Sequence, residues 1–457
     1  MAGDKLEPSP LTWLGGERRL ARRVGRPVRE FLAIEAASGM LLIGATVVAL
    51  VWANSPWSES YFDLLHTHVT IHFGDALTLD ETVEHWINDA LMAVFFFVVG
   101  LEIKRELVSG ELRDPRAAAL PAIAAIGGMV VPAVLFALFN AGGPGADGWG
   151  IPMATDIAFA VGVVALLGSK VPSAMKVFLL TLAIVDDIGA IAVIAIFYTD
   201  DLAVDWLFAA VAITILVVIM RMARIWYIPA YVAVGGFLWL AFFESGIHAT
   251  IAGVVLGLIT PAHPLRDYSD VEDLGRDDPH VGAAISGQAS ASVVRRAAFE
   301  IRERVSVAER LEDVLHPFSS YIIIPVFALA NAGIEISGDS ISDAASSDVT
   351  IGVIVGLVVG KLVGVSAFTW IAVKSGISAL PRGASFVHVV GLAAIAGIGF
   401  TVSLFITNLA FDDPTVVDEA KLGILAASLV AAILGMIILS RANEVIEIEM
   451  ENAGPLQ

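Results

Sequence analysis

The chain has 457 residues, of which 57% are hydrophobic and 16% charged, with a mean hydropathy of +0.80 and a formal net charge of −20. Too few polar residues are present to coat a soluble protein of this length. The negative charge argues against nucleic acid as a partner. The absence of cysteine excludes disulfides, thiol nucleophiles and thiolate metal sites.

Residues 1–30 form a basic segment carrying Lys5, Arg18, Arg19, Arg22, Arg23, Arg26 and Arg29. Trp13, Leu14, Leu20 and Val24 among them suit it to rest on an anionic inner leaflet. The apolar run from Phe31 is long enough to span, so it reads as a true membrane helix and not a cleaved signal. From there the sequence predicts an all-α integral membrane protein with twelve transmembrane helices. The spans fall at 31–53, 86–102, 117–140, 150–168, 174–198, 203–223, 226–243, 246–262, 318–334, 350–373, 384–410 and 421–440. Spans one to eight occupy residues 31–262, and spans nine to twelve residues 318–440.

After span one, His68 to Asp80 alternates in polarity around Gly74-Asp75, which predicts a small β-hairpin in the first outer loop. His66, His68 and His72 lie there; histidines on a solvated strand are more often polar surface than metal ligands. Residues 263–317 form a cytoplasmic loop whose first part, 264–292, is rich in Asp, Gly, Ser and Ala. Next, Val294, Ala298, Ile301, Val305, Ala308, Leu311 and Leu315 recur at spacings of three and four, predicting one amphipathic helix that leads into span nine. Residues 441–457 form an acidic cytoplasmic tail, with Glu444 to Glu451 as a solvated end.

The basic residues test this layout. Lys104, Arg105, Arg113 and Arg116 follow span two, Lys170 and Lys176 span four, and Arg221 and Arg224 span six. Arg266 to Arg310 follow span eight, Lys374 and Arg382 span ten, and Arg441 span twelve. The alternate connections contain neither Lys nor Arg. Under the positive-inside rule both termini are then cytoplasmic. Two basic residues stand outside the pattern. Lys421 is placed at the outer end of span twelve, where snorkelling is cheap, and Lys361 falls mid-span.

Charges inside the spans are the informative exceptions, since each costs about 2.5–3.5 kcal/mol at the bilayer centre. Asp186 and Asp187 lie mid-way along span five, Asp156 in span four and Asp89 near the outer end of span two. One Asp with Lys361 would make a static ion pair. Three Asp against one Lys leave two carboxylates that must be protonated or must hold a cation, and such a site can exchange one for the other.

The surroundings of Asp156 are unusual for a span. Gly148 and Gly150 precede it, with Pro152 and Thr155 close by; span eleven carries Gly391, Gly397 and Gly399 before Thr401. Both read as broken helices, numbers 4 and 11, whose ends meet at mid-membrane and present their terminal partial charges there. Spans 3–5 and 10–12 then form inverted-topology repeats. Gly352, Gly356, Gly360 and Gly364 make an i, i+4 close-packing ridge beside Lys361.

These residues together resemble the NhaA-type sodium/proton antiporter family. The resemblance is carried by Trp86 to Phe96, Gly100 to Leu107, Ala154 to Ala160, Ile184 to Gly189, Ser245 to Thr250, Val314 to Pro317, Phe327 to Gly333, Gly360-Lys361 and Gly397 to Thr401. It extends over about residues 31–440. It implies a multi-pass protein of the bacterial cell membrane that exchanges Na⁺ or Li⁺ for H⁺ electrogenically, under pH regulation, with no resident cofactor. Asp186 and Asp187 match the family's ion-binding carboxylates, Asp187 as main carrier of cation and proton. Lys361 matches the lysine that pairs with the first of them and that can itself carry a proton. Asp156 and Thr155 match the crossing point of the broken helices, with Thr401 beside it, and Asp89 an acid of structural weight. Glu102, Glu106, His248, Glu312 and His316 match positions tied to pH response, although Glu102 and Glu106 also read as a solvated helix end. The hairpin, residues 66–81, matches a homodimer contact. The N-terminal extension, the loop at 264–310, the acidic tail and Asp313 depart from the family pattern.

Three mechanisms fit buried acids in a membrane. Exchange by alternating access requires no ATP, and no Walker motif is present, which favours a secondary transporter over a pump or an enzyme. An intramembrane aspartic protease would place two acids on separate helices without a balancing lysine. A cation channel would favour acid rings in an oligomeric pore.

Overall fold

The computed structural model describes residues 37–73, 77–199, 202–223, 225, 227–264, 290–302, 304–381 and 383–453. The basic N-terminal segment, the Gly74-Asp75 turn, most of the 264–292 segment, Arg224 and Arg382 lie outside the described residues.

The chain opens with α1 (Ala37–Ala53), then bends by 111° into α2 (Ser58–His66). The sequence reading placed α2 in an open loop. It is helical because Tyr61 and Leu65, four apart, bury one face, and the Tyr61 hydroxyl donates to Leu329 O at 2.8 Å. The expected hairpin follows as β1 (His68–Phe73) and β2 (Leu77–Thr82), antiparallel, with Thr70 opposite Asp80. Asp80 accepts the Thr70 hydroxyl at 2.7 Å, and His68 lies 3.4 Å away.

Next come α3 (Val83–Val108), α4 (Pro115–Asn140), a 3₁₀ stretch (Ala146–Met153), α5 (Ile157–Leu167), α6 (Ser173–Phe197) and α7 (Val204–Met222). Two shorter apolar helices, α8 (Ile228–Glu244) and α9 (Thr250–Ile259), are joined through Gly246, whose φ of +80° suits glycine. Beyond the 265–289 stretch lie α10 (Ala291–Arg302), α11 (Val307–Asn331), α12 (Gly338–Ser346) and α13 (Asp348–Lys374). A pair bent by 46°, α14 (Phe386–Ile395) and α15 (Phe400–Ala410), precedes α16 (Pro414–Ala453).

By length and composition, eight helices among the described residues can cross a membrane, or up to ten if each bent pair counts as one span. The twelve-span reading adds the shorter α8 and α9.

Two local expectations are corrected. The amphipathic stretch from Val294 to Leu315 is two helices, because Ser306 caps a new start by accepting the Glu309 N–H at 3.2 Å. From there α11 runs on into the apolar span. The acidic stretch Glu444 to Glu451 lies within α16, which runs on from the apolar span. Lys421 is buried, at 7% exposure, because α16 begins at Pro414, two turns earlier; Glu84 and Asp418 are the neighbouring carboxylates.

The glycine ridge does what its spacing predicts. A Cβ on Gly364 would sit 2.1 Å from Gly127 O, one on Gly360 2.8 Å from Pro132 Cα, and one on Gly352 2.5 Å from Asn140 Nδ2. As positions rise along α13 their partners fall along α4, so the two helices pack antiparallel with backbones almost touching. Gly128, on the same face of α4, leaves room for the Lys361 side chain, whose Cδ is 3.6 Å from where a Cβ would lie.

Candidate ion-binding site

Two interruptions of helical geometry meet at the centre of the molecule. Residues 154–156 are extended between the 3₁₀ stretch and α5, and residues 396–399 separate α14 from α15. The Asp156 N–H donates to Ile398 O at 2.7 Å, the Thr155 hydroxyl lies 2.8 Å from Ala396 O, and the Ser403 hydroxyl donates to Ile151 O at 2.7 Å. Backbone groups freed by each interruption are thus satisfied by the other segment, as a low-dielectric interior requires.

Asp156 ties the crossing together. It is the N-cap of α5, with Oδ1 accepting the Phe159 N–H at 2.9 Å. Its Oδ2 accepts the Thr401 N–H at 3.0 Å and the Thr401 hydroxyl at 2.7 Å. Thr401 lies in the first turn of α15, so one carboxylate bridges two helix N-termini, where orphan N–H groups and the helix dipole favour negative charge.

Behind this crossing lies the ion pair. Lys361 on α13 donates to Asp186 Oδ2 on α6, to Met153 O, and to Thr155 Oγ1 at 3.1 Å, which uses all three ammonium protons. The Thr155 hydroxyl also lies 2.7 Å from Asp186 Oδ2. Lys361 and Asp186 are fully buried, and Asp187 is 7% exposed. Asp186 Oδ1 and Asp187 Oδ1 are buried with no hydrogen-bond partner among the described residues. Leaving such groups bare is costly, so each oxygen calls for a proton or a cation.

Asp187, Asp156 and Thr401 line a cavity of about 680 Å³. The lining also includes Glu102 and Arg105 from α3 and Glu309, Glu312, Asp313 and His316 from α11, with Ser38, Ser319, Ser320 and Tyr321 as further polar groups. Arg105 joins the two helices, 2.5 Å from Glu312 Oε1 and 3.5 Å from Glu106 Oε1.

The sequence-derived residues divide accordingly. Thr155, Asp186 and Lys361 form one hydrogen-bonded cluster and Asp156 and Thr401 a second, adjoining it through the 155–156 peptide, with Asp187 next to them on the cavity wall. Glu102, Glu312 and His316 share that cavity. Glu106 is buried behind it, where its Oε2 accepts the Glu111 N–H at 3.0 Å, so it is not a solvated helix end. His248 lies in the turn between α8 and α9 and does not line the cavity. Helices α3 and α9 run side by side, with Gly253 against Ala93 and Gly257 against Gly100. His248 is therefore level with the start of α3, about 20 Å along it from Glu102. Asp89 sits there too, 3.7 Å from His85, with its backbone carbonyl accepting the Trp239 indole N–H at 3.2 Å. The reading of the sequence missed the Arg105 bridge, the Ser403 contact and the carbonyls of Met153, Ala396 and Ile398. A carbonyl carries no side-chain signal, and Arg105 looks like any basic residue at a helix end.

A sequence profile described as Na+/H+ antiporter 1 matches residues 29–439. The chain belongs to this family. It is 47% identical over 422 residues to Na(+)/H(+) antiporter NhaA 3 of Frankia alni, covering 92% of this chain and 90% of that one. It is 49% identical over 418 residues to Na(+)/H(+) antiporter NhaA of Rhodopirellula baltica, covering 90% and 93%. Na(+)/H(+) antiporter NhaA of Oleidesulfovibrio alaskensis is 44% identical over 424 residues. The resemblance read from the sequence motifs is the family found, and neither the protease nor the channel reading keeps support.

Proposed function

We propose that this Na⁺/H⁺ antiporter exchanges its ions at Asp187 and Asp186, with Asp156, Thr155, Thr401 and Lys361 holding the site in shape. The observation that carries the reading is the pair of buried carboxylate oxygens without partners, Asp186 Oδ1 and Asp187 Oδ1, beside a cavity that Asp187 faces. Lys361 is committed to Asp186, so it does not neutralise Asp187. A carboxylate in that position binds either a proton or an alkali cation, Na⁺ or Li⁺, and the two compete. Competition at one site that opens to each face in turn yields antiport without ATP. Carboxyl protons exchanged in excess of cation charge make the cycle electrogenic.

The same proposal places twelve spans in the bacterial cell membrane with both termini cytoplasmic, spans 3–5 and 10–12 as inverted repeats, and broken helices 4 and 11 at the crossing. Glu102, Glu312 and His316 on the cavity wall, with Glu106 behind them, set the pH response through the Arg105 bridge between α3 and α11. Both outer edges of the two-stranded hairpin are free of strand partners among the described residues, which suits residues 66–81 to pair with a second copy in a homodimer. Asp89 has a structural role, and no resident cofactor is needed.

Everted membrane vesicles with an imposed pH gradient test the reading. Added NaCl should collapse the gradient, KCl should not, and Asp187→Asn should abolish the effect. Persistent collapse in that variant would sink the assignment of Asp187.

A further inference from the structure

On the side away from the acidic cavity wall, three helices each carry an asparagine seven residues from a residue that lines the cavity. Asn88 is so placed from Phe95 on α3, Asn331 from Ile324 on α11, and Asn408 from Thr401 on α15. Seven residues are about 10 Å of helix, so three amides stand at one level beyond the cavity's inner end. They meet there. Asn331 Nδ2 donates to Asn88 Oδ1 at 2.8 Å and to Phe327 O at 2.9 Å. Its Oδ1 accepts from Asn88 Nδ2 at 3.2 Å and from Asn408 Nδ2 at 2.5 Å. Asn331 is fully buried and fills all four of its hydrogen-bonding positions.

Between this triad and the cavity lie Phe327 and Phe405, and Phe96, one residue past cavity-lining Phe95 on α3, packs against Phe405. Phe405 is 5.2 Å from Phe96 and 6.3 Å from Phe327 between ring centroids. All three rings are buried and none lines the cavity.

We infer that Asn88, Asn331 and Asn408 form an amide latch that holds the aromatic plug shut on the hairpin-side face of the antiporter. This rests on the transport reading above. A site that serves both faces must be closed on one while open on the other, and the exposed lining residues Glu309 and Asp313 put the cavity's mouth at the Arg105–Glu312 end. The Asn331 side chain joins helices that must part for the opposite face to open. Its bonds are exchangeable amide contacts, not charge pairs, so they hold the plug closed without making that state irreversible.

The chain contains no cysteine, so one introduced thiol reports access cleanly. Val402→Cys places it on the cavity wall beside Thr401. In oriented vesicles, a membrane-impermeant maleimide should label it from the cavity face and scarcely from the hairpin face. Adding Asn408→Leu should raise hairpin-face labelling by about 5-fold, the factor expected for one lost hydrogen bond, and Asn88→Ser, which removes two, should raise it further. Asn88→Ser adds no bulk and covers the case in which Asn408→Leu fails to fold. A merely structural role would lower the melting temperature without changing which face labels. Unchanged hairpin-face labelling in either folded variant overturns the latch, even if Na⁺-driven transport is normal. Raised labelling in a chain that moves no Na⁺ would uphold the latch and overturn the transport reading.

Discussion

Lys361 and Asp186 stand 175 residues apart in the chain and form an ion pair in which neither side chain reaches solvent. Around it every donor of the ammonium is used, while one oxygen of the carboxylate and one of its neighbour Asp187 are left bare. The lysine side of the pair therefore has no hydrogen-bonding capacity to spare, whereas the carboxylate side does.

Lys361→Ala should lower stability by about 3–5 kcal/mol, because it strands a buried carboxylate. Lys361→Met combined with Asp186→Asn should recover most of that loss. Thermal unfolding in detergent measures both, and a double variant no better than Lys361→Ala would argue against the pairing.

Asp187→Asn should leave the melting temperature at or above that of the parent chain. Asp187 Oδ1 makes no hydrogen bond, so the change removes a desolvated acid without breaking a contact. A large drop in melting temperature would show that Asp187 has a structural partner.

Thr401→Val deletes one of three hydrogen bonds to Asp156 and should cost about 1 kcal/mol. Asp156→Ala strands two helix N-termini and should cost more, since capping losses alone run to about 2 kcal/mol each at the high end. Equal unfolding midpoints for the two variants would contradict the bridging role of Asp156.

Gly364→Ala should destabilise by about 1–3 kcal/mol through overpacking, because the new methyl would overlap the Gly127 carbonyl at 2.1 Å. Gly44→Ala is the control. It meets no atom within 4 Å on the exposed face of α1 and should be neutral or gain up to about 1 kcal/mol of helix propensity. Loss of stability in both would point to a general intolerance of glycine replacement.

The hairpin has its own pH dependence. The Thr70 hydroxyl, with His68 beside it, holds the Asp80 carboxyl below its ordinary value of 3.8. A lowered folded-state pKa adds stability above the ordinary value and loses it as pH falls through the folded one. Thr70→Val should move the Asp80 midpoint back up, as side-chain carbon-13 shifts would record; an unmoved midpoint would rule out the hydroxyl as its cause.

Much of this protein was legible in its residues. Apolar runs marked the helices, the glycine spacing on α13 announced a close helix contact, and the alternation at His68 to Asp80 marked the hairpin. The excess of buried acids over Lys361 pointed to a site with spare capacity for ions. These are local or countable features: hydrophobic periodicity, side-chain volume and charge balance act wherever the chain goes. The Ser306 cap and the burial of Lys421 were not anticipated, since a cap needs a defined neighbour and burial needs a surrounding.

Only the tertiary structure decided which charges meet. It joined Asp186 to Lys361, turned Asp156 into a bridge between α5 and α15, and brought Arg105 to Glu312 while leaving His248 about 20 Å away along α3. The physical reason is that contacts between residues hundreds of positions apart are set by how interrupted helices cross and satisfy each other's backbone groups. Composition determined that this chain must hide acids in an apolar interior, and the crossing determined where those acids find partners and where they are left without one.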